Sequence, residues 1–218
     1  MPAATLRRLN KLRVPDGQDH SLSLTFDDGP STRYTGQVLA LLATAHAPAV
    51  FCLIGQQAVA LPQLVRREVA AGQQLCDHSR DHDLRMRRKS HTYQRAEVTD
   101  GLKDVRQAAP GTPVTFYRQP GGLWDPTIVA AMYQARLDPL RWTDDPRDWS
   151  RPGTVTIARR VLAGLQPGAV VLMHDGGGNR TETLQALSWL LKALPAAGWH
   201  FTFPDAVHLS PRAAAKTQ

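Results

Sequence analysis

The sequence predicts an α/β fold on a parallel sheet, and three observations carry that expectation. Short apolar runs alternate with longer amphipathic ones along most of the chain. The longer runs tend to stop at glycine or at a proline–glycine pair, as helices do. The chemically reactive residues collect just after the apolar runs, where parallel α/β barrels place their active-site loops. A length of 218 residues suits one large domain, and a 42% hydrophobic share is enough for a core.

Seven strands are expected, over 22–26, 50–54, 74–76, 114–117, 139–142, 169–173 and 199–203. The first is the apolar run from Leu22 to Phe26, which Gly29-Pro30 turns away sharply. Six helices fall between the strands. They are expected over 34–44, over 61–71 with Gly72 as its stop, and over 92–108 before Pro110-Gly111. The others run over 126–135, over 154–165 before Pro167-Gly168, and over 181–196 before Gly198.

Net charge is +7, which suits nucleic acid, an anionic wall polymer or a membrane surface as partner. The densest basic run, Arg85-Met86-Arg87-Arg88-Lys89, lacks the interleaved aromatics of single-strand nucleic-acid binders and reads as a solvated loop. No run is long and apolar enough to span a membrane. The first 13 residues are basic without an apolar segment, so no signal peptide is visible. Cys52 and Cys76 lie on strands expected to be neighbours, 24 residues apart. A disulfide there suits an exported protein and contributes about 3 kcal/mol in the chain-entropy model. Two buried thiols are the alternative.

The chemistry begins at Asp27-Asp28, directly after the first strand. His78 and His82 follow about fifty residues on, spaced as rings on one face of a helical turn. Two imidazoles and one carboxylate make the ligand set of a hydrolytic zinc site, and the second carboxylate is left to act as a base. Non-haem iron sites use the same ligand types but give the second acid no task. His174 ends an apolar run and enters Asp175-Gly176-Gly177-Gly178, a place for a general acid. Asp148 can orient it and raise its pKa, or by itself reads as a helix N-cap or surface acid; Arg118 can hold Asp27 ionised, or make a surface salt bridge.

Five segments in order resemble the motifs of the polysaccharide deacetylase family. They are Thr25-Phe26-Asp27-Asp28-Gly29-Pro30, His78-Ser79-Arg80-Asp81-His82, Arg118-Gln119-Pro120-Gly121-Gly122, Asp145-Pro146-Arg147-Asp148-Trp149 and Leu172-Met173-His174-Asp175. The resemblance spans about 22 to 203. It implies a distorted (β/α) barrel, with Asp27 as general base and Asp28, His78 and His82 around one divalent metal. Zinc is the first choice, with cobalt, manganese or nickel as the others. It further implies His174 as general acid tuned by Asp148, Arg118 positioning Asp27, the Gly121 N–H as oxyanion donor, and Trp149 and Leu172 lining the acetyl pocket. Gly121 stands where many members carry an aromatic residue, and Ser79 where threonine is commoner.

The implied activity is removal of N-acetyl groups from chitin-like or peptidoglycan substrates, with acetate released. Its rivals are an O-acetyl esterase on xylan and a glycan-binding module with little catalysis. A catalytic domain over 21–210 is expected, between a basic extension over 1–20 and a frayed tail over 211–218. The partner is an N-acetylated polysaccharide or oligosaccharide rather than nucleic acid. The protein is expected as a monomer outside the cell or at the wall, with no membrane span.

Overall fold

The computed structural model describes residues 20–204, so the tail over 211–218 and all but the last residue of the basic extension lie outside the described residues. Seven strands form one parallel sheet: β1 (Ser21–Gly29), β2 (Ala49–Leu53), β3 (Gln74–Asp77), β4 (Val114–Tyr117), β5 (Asp138–Pro139), β6 (Ala169–His174) and β7 (His200–Phe201). The order is β5-β4-β3-β2-β1-β6, with β7 beside the first two residues of β1. Seven α-helices pack around it: α1 (Thr35–Thr44), α2 (Gly55–Ala60), α3 (Pro62–Ala70), α4 (His91–Ala108), α5 (Pro126–Gln134), α6 (Thr154–Gly164) and α7 (Thr181–Ala196).

The sheet curls into a distorted barrel, as expected. Its seam is closed without a full strand. Asp144 bridges Val171 of β6, and the Leu172 N–H donates to the Asp144 carbonyl at 2.9 Å. The fifth strand, expected over 139–142, therefore shrinks to two residues. Pro139 lacks the N–H that would extend a ladder on both sides. The seventh also shrinks to two residues. The short helix α2 carries no apolar period long enough to announce itself in the sequence.

Strand alternation sorts the core into two layers. Leu22, Leu24 and Phe26 of β1, with Phe51, Leu53, Val171 and Met173, pack against the helices. A smaller cluster of Val50, Cys52, Cys76, Phe116 and Leu140 fills the barrel interior. Cys52 and Cys76 are register partners on β2 and β3, Cα atoms 4.2 Å apart, and are joined as a disulfide. The interior-facing residues of β1 are polar, and they lead upward to the site.

Candidate active site

Asp27 lies at the mouth of β1, 3% exposed. Arg118, the first residue past β4, is fully buried against it. Its Nη1 donates to Asp27 Oδ1 and to Thr25 Oγ1, both at 2.7 Å, and its Nε donates to the Leu140 carbonyl at 3.0 Å. The Thr25 hydroxyl in turn donates to the Val171 carbonyl at 2.7 Å. A guanidinium fixed on three sides holds the Asp27 side chain in one orientation. Asp27 Oδ2 is left facing His78 Nε2 at 3.5 Å.

Asp28, His78 and His82 converge beside it. Asp28 Oδ1 is 3.6 Å from His78 Nε2 and 3.2 Å from His82 Nε2, and one ligand atom from each residue lies within 4.8 Å of the others. His78 Nδ1 is 2.7 Å from the Arg118 carbonyl, which can only accept, so the ring donates there and Nε2 keeps its lone pair towards the acids. Burial disfavours charge on His78, but Asp27 and Asp28 outweigh it and raise its pKa. Burial also pushes Asp28 up. The neighbouring imidazoles of His78, His174 and His82 outweigh that, leaving it well below the usual carboxylate range. Asp28 Oδ1 is buried with no hydrogen-bond donor among the described residues. The unpartnered Asp28 oxygen and the two imidazole nitrogens beside it make a donor set that a divalent cation fits.

The backbone achieves this convergence in an unexpected way. The four-residue spacing of His78 and His82 is not a helical turn. Residues 78–82 are a loop, with Ser79 and His82 in the left-handed region at φ 64° and 62°. The His82 N–H donates to Ser79 Oγ at 3.1 Å, which pins the loop so that the rings lie 4.9 Å apart. Asp28 is also left-handed, at φ 68°. The glycine run packs on it, and a side chain at Gly176 or Gly177 would collide with the Asp28 backbone or carboxylate.

On the neighbouring strand His174 ends β6, in register with Asp27 of β1. Its Nδ1 is 2.7 Å from Asp148 Oδ1, and its backbone N–H donates to Asp148 Oδ2 at 3.0 Å. Thr183 Oγ1 donates to the same oxygen at 2.8 Å. Burial disfavours charge on His174, but Asp148, with help from Asp27 and Asp28, raises its pKa to about 9. The ring therefore holds a proton at neutral pH.

The remaining expected residues stand at the rim. Leu172 is buried, two residues before His174 on the same face of β6. Trp149 is 45% exposed, with the Arg147 guanidinium 5.1 Å from its ring. Gly121 has φ 61°, and a side chain there would touch Leu84 and Leu123, two of the few exposed large apolar residues. Those leucines cover the place an aromatic side chain would take. Sequence reasoning missed Thr183, which sits in helix α7 with no motif to mark it. It also gave Thr25 no role, although a polar residue inside an apolar strand was a legible signal.

A family model described as polysaccharide deacetylase matches residues 15–140. A chitooligosaccharide deacetylase of Sinorhizobium fredii is 37% identical over 189 residues, covering 82% of this chain and 87% of that protein. A peptidoglycan-N-acetylglucosamine deacetylase of Bacillus cereus is 34% identical over 182 residues, covering 83% and 84%. Among solved structures, a family 4 carbohydrate esterase from Streptomyces lividans in complex with acetate superposes with a TM-score of 0.77. It is 29% identical and covers 85% of this chain and 98% of that one. The fold, the ordered motifs and the matched span agree: the chain belongs to the polysaccharide deacetylase family, a family of metal-dependent carbohydrate deacetylases.

Proposed function

We propose that the protein removes the N-acetyl group from N-acetylglucosamine units of a glycan, chitooligosaccharide or peptidoglycan, and releases acetate. The observation that carries this reading is the pair of groups beside one cation pocket: Asp27 oriented by Arg118, and His174 held protonated by Asp148.

Asp28, His78 and His82 would hold the cation, with zinc the first choice for this donor set. When bound, such an ion polarises an acyl oxygen and acidifies water. Asp27 accepts a proton from the attacking water through Oδ2, since Oδ1 is occupied by Arg118. The Gly121 N–H donates to the oxyanion as it forms. His174 gives its proton to the departing nitrogen, and Asp148 stabilises the charged ring until then. Leu172 and Trp149 line the space for the methyl group.

The names of the relatives support both glycans as substrates, and the disulfide supports work at or outside the wall. Among the described residues no helix is long and apolar enough to cross a membrane. The test is acetate release from chitotetraose, peptidoglycan and acetylxylan, with zinc and with chelator. Chelator-sensitive release from either of the first two is expected. Release from acetylxylan alone would replace the amide reading with an ester one.

A further inference from the structure

His78 and His82 both stand on the loop over 78–82, in which Ser79 and His82 are left-handed. Such a conformation persists only where the surroundings hold it. The clasp between the His82 N–H and Ser79 Oγ ties the loop to itself. Helices α2 and α4 tie it to the fold. At the start of α2, the Gly55 N–H donates to the Ser79 carbonyl and the Gln56 N–H to the Arg80 carbonyl, both at 2.9 Å. From α4 the contact is a side chain. Glu97 is 4% exposed, and its Oε2 accepts from the Asp81 N–H at 3.1 Å. That amide belongs to the residue directly before His82.

The face of α4 around Glu97 is shaped for this contact. Gly101, one turn further on, presents bare backbone. A side chain there would meet the Ser79 carbonyl carbon at 2.7 Å and the Arg80 nitrogen at 2.9 Å. Gln94, one turn before Glu97, is also buried, and its Nε2 donates to the Lys89 carbonyl at 3.2 Å and the Arg87 carbonyl at 3.4 Å. Residues 94, 97 and 101 share one side of the helix. Gln94 thus serves the basic turn, and Glu97 serves the histidine loop.

A carboxylate is costly to bury without donors. Burial raises the Glu97 pKa most, and the Asp81 carboxylate adds to that. The Asp81 N–H and the Ser79 hydroxyl, both in the loop, oppose them, and the outcome is about 7.

We propose that Glu97 is a positioning residue for the cation pocket: by holding the Asp81 N–H it fixes the turn that aims the His82 ring at Asp28. This rests on the metal-dependent reading above, and its readout is zinc affinity rather than turnover. The reach of the acceptor should matter, and its charge should not. Glu97→Gln keeps an acceptor in place, and its amide N–H groups can face the Asp81 carboxylate. Glu97→Asp keeps the charge but is one methylene short. The metal-free full chain and its variants are titrated with zinc chloride by calorimetry. Glu97→Asp should weaken zinc binding about tenfold, the lower end of what losing an outer partner costs, while Glu97→Gln stays near the parent. The absorption spectrum of the cobalt-loaded protein should change in Glu97→Asp and not in Glu97→Gln. Gln94→Leu loosens the same helix face away from the histidines, so it should lower Tm and leave zinc affinity unchanged. Parent-like affinity in Glu97→Asp overturns the positioning role. So does an equal loss in Glu97→Gln or in Gln94→Leu, or a parent protein that takes up no zinc. The expected order of zinc affinities, in a parent that releases no acetate from chitotetraose, keeps the role of Glu97 and removes the deacetylase reading.

Discussion

His78 and His174 occupy equivalent places, buried at the mouths of parallel strands, and their surroundings give them opposite tasks. Each ring spends Nδ1 on a partner from a neighbouring element. For His78 that partner is the Arg118 carbonyl, a neutral acceptor that orients the ring and leaves Nε2 as a lone pair. For His174 it is the Asp148 carboxylate, a full charge that holds a proton on the ring. The partner of the distal nitrogen thus sorts ligand from acid, because a carbonyl dipole orients an imidazole while a carboxylate also charges it.

The largest effect should come from breaking the ligand side. His78→Ala should weaken zinc binding by more than the roughly 10–100-fold that losing an outer partner costs, and acetate release should vanish with it. Calorimetry on the folded variant checks this, and zinc affinity within a few-fold of the parent would refute the assignment.

Next comes the acid side. His174→Ala should keep its zinc while amide turnover drops roughly 10²–10⁴-fold. Turnover of an activated aryl acetate should fall much less, because its leaving group needs no proton. An equal loss on both substrates would mean the ring serves something other than the leaving group.

The mildest change sharpens the comparison itself. Burial alone would lower the His174 pKa, and Asp148 is the strongest influence raising it to about 9. Asp148→Asn should therefore lower that pKa, read by NMR on metal-free protein, and shift the alkaline fall of amide turnover to lower pH. The sign for stability is the same. The raised pKa contributes stability that is complete below the ordinary histidine value near 6.5 and lost as pH climbs through about 9. The variant should lack that slope in denaturant titrations.

Much of this was legible before any coordinates. Five of the seven apolar runs became strands of at least the expected length because each is bounded by turn residues and largely buried on both faces, β2 along its whole length. Asp27, Asp28, His78, His82, Arg118, Asp148 and His174 could be picked out because each stands at or soon after the end of an apolar run. What could not be read was how the backbone brings them together. The spacing of His78 and His82 suggests a helix, while the chain uses two left-handed residues and a serine clasp. Thr183 was invisible because a threonine early in a helix reads as surface, and only tertiary packing turns its hydroxyl onto Asp148.

The seam of the barrel has a consequence for how the site is held. Asp144 is stitched to β6 through its bridge with Val171 and the Leu172 N–H, and four residues later Asp148 clasps the end of that same strand. The imidazolium and its counter-ion thus ride on a single plank. Because β6 is also paired with β1, with His174 in register with Asp27, the proton donor, its charge partner and the first acid of the cation pocket are all tied to one pair of neighbouring strands.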